Sequence, residues 1–170
     1  MALVPTGEMT LGPFFPREFG QGASDLTQID GKPARGEVIE ITGRVTQGDG
    51  APLDNAIIEI WQASADGRFD DPDFLGWGRA ATDASGVYRF RTIRPGAPKG
   101  RAAHVNFIVL FSGLMRHLQT VMFFELAQDD PVLNSVPLSL REKLVAREIQ
   151  NRWCFDIRLR GEGETPFFDD

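Results

Sequence analysis

From about residue 37 onward, hydrophobic and polar positions alternate with a period of two, the pattern of strands that turn one face to a core. Glu37 to Thr46 (EVIEITGRVT) and Ala56 to Gln62 (AIIEIWQ) are predicted as the first two strands, and Gln47-Gly48-Asp49-Gly50 carries the residues of a tight turn. Gly78 to Thr82 and Val87 to Ile93 follow, joined by Asp83-Ala84-Ser85-Gly86 in the manner of a hairpin, with Tyr88 and Phe90 facing in and Arg89 and Arg91 facing out. The β-branched and aromatic run from Ala103 to Phe111 reads as the middle of a sheet. Its pleat puts His104, Asn106, Ile108 and Leu110 on one face and Val105, Phe107, Val109 and Phe111 on the other. Leu118 to Phe124 is the next strand. Trp153 to Arg160 shows the cleanest alternation, with Trp153, Phe155, Ile157 and Leu159 opposite Asp156, Arg158 and Arg160.

Helical signals are few. Asp130-Pro131 and Ser139-Leu140-Arg141-Glu142 both have the form of helix starts, the second as a capping box, and a short helix is predicted over Ser139 to Ala146. Residues 1–36 are broken up by glycine and proline, which predicts an extended arm rather than regular elements; Leu11, Pro13, Phe14, Phe15 and Phe19 are apolar enough to tie it down. Many short strands with little helix predict an all-β chain: a single β-sandwich over residues 37–170, an N-terminal arm over 1–36 and a short helix near the C-terminus.

Length and composition narrow the classes. A chain of 170 residues, 42% hydrophobic, fits one domain with a sizeable core. The net charge of −6 and acidic pI near 5.0 argue against a nucleic-acid partner, which would need a basic footprint. No secretory signal is evident at the N-terminus, and the longest apolar runs are about five residues against the ~20 that cross a bilayer. A cytoplasmic location without membrane attachment is therefore expected. The single cysteine, Cys154, cannot form an internal disulfide.

Candidate chemistry centres on His104 and Asn106, same-face neighbours on a rigid strand. An amide is a poor transition-metal ligand beside an imidazole, so this pair fails the two-histidine-one-carboxylate pattern, and a lone strand histidine reads as a hydrogen-bonded structural residue. The other histidine, His117, does not complete a site. Asp66, Asp70, Asp71 and Asp73 lack the ordered spacing of a calcium loop and read as a solvated turn. Gly161-Glu162-Gly163-Glu164 follows a strand as dinucleotide loops do, but its carboxylates would repel a pyrophosphate and the third glycine is missing. Cys154 has no histidine partner in sequence and there is no nucleophile elbow. Spacing and composition alone describe a β-sandwich without a catalytic set of its own, and a stand-alone binding module for a small aromatic or a protein stays open as an alternative.

A longer pattern goes further. Ile60-Trp61-Gln62-Ala63, Asp66-Gly67-Arg68-Phe69, Phe74-x-Gly76-x-Gly78-Arg79, Thr82-Asp83-x-x-Gly86-x-Tyr88-x-Phe90, Arg94-Pro95-Gly96 and Ala103-His104-Val105-Asn106-Phe107 together resemble the intradiol ring-cleavage dioxygenases over most of the chain. The ending from Phe155 to Thr165 with Phe167-Phe168, and Thr10-x-Gly12-Pro13-Phe14 near the start, is similar to the α-type chains of that family's two-chain members. The resemblance implies a prealbumin-like sandwich. It also implies that catalytic chains hold ferric iron through two tyrosinates and two histidines, both histidines within Ala-His-x-His-Phe. Here Asn106 stands in place of the second histidine, no tyrosine lies between Phe69 and Phe74 or between Pro95 and Ala103, and Tyr88 is the only tyrosine. His104 and Asn106 are then vestigial metal-site positions, with no metal expected in this chain and no catalytic residue of its own. The resemblance further implies pairing with a homologous β subunit that holds the Fe(III), in αβ pairs of a higher oligomer acting on a small aromatic diol; iron activates the ring for attack by O2 and the product is a ring-opened muconate. Thr10, Gly12, Pro13 and Phe14 would line the substrate pocket of the pair. Val121 would also line it, at a place where related α chains carry an arginine. Any cation for a substrate carboxylate would therefore come from elsewhere, Arg116 or the β chain.

Overall fold

The computed structural model describes residues 15–168. They form β1 (Gln28–Ile29), β2 (Lys32–Pro33), β3 (Val38–Thr46), β4 (Ile57–Gln62), β5 (Trp77–Ala81), β6 (Val87–Ile93), β7 (His104–Leu110), β8 (Leu118–Phe123), α1 (Pro131–Ser135), β9 (Arg147–Ile149), β10 (Arg152–Cys154) and β11 (Ile157–Arg158), with 3-10 segments at Arg17–Gly20 and Leu138–Leu144. Two sheets carry the architecture. One is the four-stranded β5-β4-β7-β8, antiparallel throughout. The other is five-stranded and centred on β3, which pairs antiparallel with β6 and parallel with β10 and β11. Ile58, Ile60, Val105, Phe107 and Val109 of the first sheet meet Ile41, Val45, Tyr88, Phe90, Trp153, Phe155 and Ile157 of the second in one buried core. The all-β sandwich expected from the alternation is the fold observed.

Three local expectations are corrected. The turn at Asp83–Gly86 is present: Gly86 N–H donates to Asp83 O, and the Asp83 carboxylate accepts from Ser85 and Val87 N–H. Yet β5 and β6 do not form a hairpin, because β5 pairs with β4 and β6 with β3. The chain crosses between sheets here, and local turn chemistry says only that it reverses direction. Second, the capping box at Ser139 is not made. The segment starts at Leu138 as a 3-10 helix after Pro137, with no side-chain cap; the fixed φ of proline seeds the turn ahead of the serine. Asp130 does cap α1, its carboxylate accepting from Val132 and Leu133 N–H. Third, the long final strand splits into β10 and β11. Its burial alternation holds, but the Asp156 carboxylate takes the Arg44 N–H in place of a ladder bond.

The split has a structural cause. Gly43 sits opposite it, and a Cβ there would lie 1.8 Å from Phe155 O and 2.6 Å from the Tyr88 hydroxyl oxygen. The missing side chain lets the Phe155 carbonyl turn inward, where the fully buried Tyr88 hydroxyl donates to it.

The segment predicted as an arm is hydrogen-bonded where it is described. Ala23 O accepts from Arg79 N–H at the edge of β5, whereas Ser24 O and Leu26 N–H bond Arg91 at the edge of β6. Residues 23–26 thus bridge the two sheets at the corner where the chain crosses between them. The same stretch contains the short ladder of β1 with β2, which glycine and proline content did not suggest.

Candidate functional site

Strand pairing assembles the outer face of the β5-β4-β7-β8 sheet around the residues singled out in the sequence. Trp77, Trp61, Asn106 and Val121 stand in register across the four strands, and His104 stands opposite Phe123. His104 and Asn106 therefore share a face, as the pleat requires. Val121 is the immediate cross-strand neighbour of Asn106, but it is 3% exposed and packs with Phe123, Leu133, Val136 and Leu144 beneath the C-terminal helical segments.

His104 is buried. Its Nδ1 lies 2.7 Å from Ala102 O, so that nitrogen carries the proton and Nε2 the lone pair in the neutral ring. The ring packs between Phe69, with centroids 6.3 Å apart, and Phe123, at 6.0 Å. Burial lowers its pKa; the Ala102 carbonyl and Asp130 oppose the shift, and the Arg101 charge adds to it.

Asp130 anchors this corner, with its side chain at 0% exposure. Oδ1 accepts from Val132 and Leu133 N–H, while Oδ2 accepts from Arg101 Nε at 2.8 Å and Ala102 N–H at 2.9 Å. Burial pushes the Asp130 pKa up, but the bonds from Arg101, Ala102 and Leu133 outweigh it and the net shift is downward. A continuous chain of bonds thus runs from α1 through Asp130 and Ala102 to the His104 imidazole. Asp130 was legible only as a helix start, and nothing in its spacing pointed to His104.

These residues do not fit ferric iron. The imidazole is alone, since the Asn106 amide donates to Trp61 O at 3.2 Å. Tyr88 is on the opposite side of the sheet in the sandwich core, its hydroxyl committed to Phe155 O. The interval from Pro95 to Ala103 contains no carboxylate or phenol, and its Arg101 is paired with Asp130. No cluster of three or more His, Cys, Asp or Glu suited to a metal occurs among the described residues.

The other candidates separate from this face. Asp66 pairs with Arg35, Asp70 with Arg68, and Asp71 accepts from Asp73 N–H, all as parts of an exposed turn. Gly161 to Glu164 closes on itself, Glu164 N–H donating to Gly161 O. Cys154 is half-buried on the other sheet, and Arg116 is exposed in the β7–β8 connection. Thr10, Gly12, Pro13 and Phe14 lie outside the described residues. No helix among the described residues is long and apolar enough to cross a membrane.

The described residues thus form an all-β sandwich with a buried histidine on the outer face of one sheet. The family model Dioxygenase_C, described as "Dioxygenase", matches residues 10–161, and the chain belongs to that family of intradiol ring-cleaving oxidoreductases. Among its relatives, the protocatechuate 3,4-dioxygenase alpha chain of Burkholderia cepacia is 35% identical, covering 98% of each chain. The beta chain from the same organism is 37% identical over 85% of this chain and 77% of its own length. The dioxygenase domain of a dioxygenase and carbohydrate-binding fusion from Streptomyces sp. SirexAA-E shares the fold, with a TM-score of 0.62 and 24% identity over 93% of this chain and 99% of that one.

Proposed function

We propose that this chain is the iron-free α-type subunit of a protocatechuate 3,4-dioxygenase, pairing with an Fe(III)-bearing β-type chain that opens protocatechuate with O2 to 3-carboxy-cis,cis-muconate. The observation that carries the reading is the donor set around His104: one imidazole, an amide already bonded to Trp61 O, and a single tyrosine sealed in the core. End-to-end likeness to an alpha chain supports the same assignment over the beta chain, whose match is marginally higher in identity but shorter.

In this reading, residues 1–36 are an arm on a sandwich spanning 37–170, and Thr10, Gly12, Pro13 and Phe14 form a wall of the partner's pocket. Glycine lets backbone approach a ligand closely, proline stiffens the loop and an aromatic ring flanks a planar substrate. Such a wall acts by orienting the diol and excluding water. Val121 supplies no charge, so the substrate carboxylate finds its cation elsewhere, in Arg116 or the β-type chain. The pair is cytoplasmic and belongs to aromatic catabolism through the β-ketoadipate route.

Co-expression tests the assignment. Ring cleavage of protocatechuate by an iron-bearing β-type chain should require this chain, or rise at least about tenfold with it, and the two should co-elute. Full activity of the β-type chain alone, with no association, would overturn it.

A further inference from the structure

The outer face of the β3-centred sheet carries its charges in a fixed order. β9, β10, β3, β6 and the stretch around Asp25 lie side by side, and one register row runs Ile149, Arg152, Glu40, Arg91, Asp25 across them. Its ionic positions alternate plus, minus, plus, minus. Arg152 Nε donates to Glu40 at 2.8 Å, and Arg91 Nη1 donates to Asp25 at 3.1 Å and to the Thr27 hydroxyl at 2.9 Å. The four charged side chains still stay 51–58% exposed, and each guanidinium keeps N–H donors for a second carboxylate. Val38, one row along on the same face, and Ile149, at the end of the row, are 47% and 49% exposed.

We propose that this face docks a second copy of the chain, in an isologous contact about a two-fold axis that runs along the strands between β3 and β6. Such an axis lays the row on itself reversed, so that Glu40 of each copy meets Arg91 of the other and Arg152 meets Asp25. Every ionic position of the row then faces its opposite. In the next two rows the same axis sets Thr42 against Arg89 and Arg44 against Val87, and no like charges meet there. The row sums to zero, which gives two copies of a chain of net charge −6 a locally neutral place to approach. Val38 and Ile149 add apolar area at its margin. Five strand positions about 4.8 Å apart, and the nine residues of β3 at ~3.4 Å each, give a face on the order of 20 by 30 Å, comparable to the ~800 Å² per partner of a standard interface. The inference goes beyond the α-type reading and does not depend on it, since none of these residues belongs to the His104 face.

Sedimentation of the full chain tests it. Wild type should form a dimer at ~50 mM salt whose association constant falls at least about threefold at ~0.5 M salt. Glu40→Arg and Arg91→Glu, each alone, bring like charges together twice in a symmetric dimer, and each should lower that constant at least about tenfold. Mixing the two variants restores opposite charges at both places, so the mixed dimer should recover to within about threefold of wild type. Mixing cannot mend a misfolded chain, so recovery reports the contact itself. Asp25→Arg and Arg152→Asp repeat the test on the outer pair of the row, should either of the first variants fail to fold. A wild type that stays monomeric up to ~100 μM, undiminished dimerisation of the single variants, or no recovery on mixing would overturn the proposal. Loss of binding to a β-type chain by Glu40→Arg, with self-association unchanged, would give the face to that chain and overturn it as well.

Discussion

Replacing Asp130 with Asn probes the polar network that holds the candidate site. The substitution keeps volume and shape but exchanges one carboxylate oxygen for an NH2 group. In wild type, Oδ1 receives two N–H donors from α1, and Oδ2 receives the Arg101 guanidinium and Ala102 N–H. Either orientation of the Asn amide sets donors against donors: one strips the Arg101–Ala102 side, the other strips the cap. Removing one partner of a buried pair costs about 3–5 kcal/mol. Arg101 keeps 25% of its side chain in water, which places the expected loss near the lower end, ~3 kcal/mol. For a chain of this length that corresponds to a Tm decrease of roughly 6–12 °C. Urea unfolding of D130N, R101A and the double variant measures it. Because both groups serve one network, the double variant should lose less than the sum of the single losses, by at least about 1 kcal/mol. A D130N protein within about 0.5 kcal/mol of wild type, or strict additivity, would refute the network as drawn.

Further outcomes follow from other parts of the fold. Tyr88→Phe should cost about 1–3 kcal/mol, the penalty for leaving the Phe155 carbonyl without its buried donor, and Gly43→Ala should cost more because its Cβ meets backbone; urea midpoints check both the size and the order. The lowered His104 pKa means that the folded protein resists protonation more than the unfolded chain, so stability is complete above pH ~6.5 and declines as pH falls through the folded value. Stability measured against pH should lose that slope in His104→Gln, and a variant with the wild-type slope would contradict it. Removing residues 1–14 should lower turnover of the reconstituted pair at least about tenfold while shifting the Tm of this chain by less than about 2 °C. Equal turnover with and without the arm would remove its pocket role.

What the sequence alone reveals follows the range of the forces involved. Strands β3 and β6 were legible because each buries one face, so the period of two appears directly in the residues, and β4, β7 and β8 were legible as apolar runs rich in β-branched and aromatic residues. Pairing was less legible. Asp83 to Gly86 specifies a reversal, but which sheet receives Val87 depends on β3, whose contacts are distant in sequence. The break at Phe155–Asp156 was invisible for the same reason, since it depends on Gly43 and Tyr88. At the site, the shared face of His104 and Asn106 and the lack of further ligands could be counted from the residues. The hold on His104 could not, because it passes through the backbone of Ala102, which has no sequence signature. Nor did composition mark Trp61 and Phe69 as exposed: Trp61 is set apart by its outer-face register on β4, and Phe69, in the connection after that strand, by its stacking on Trp61.

On the proposed reading, this polypeptide does not assemble a ferric centre on its own. Metal analysis of the chain purified alone from iron-supplemented cells, read together with its visible spectrum, tests it most directly. The expected result is iron below roughly 0.1 per chain and no tyrosinate-to-iron charge-transfer band, with both appearing once an iron-bearing β-type chain is present. Near-stoichiometric iron with that band in the isolated chain would contradict it.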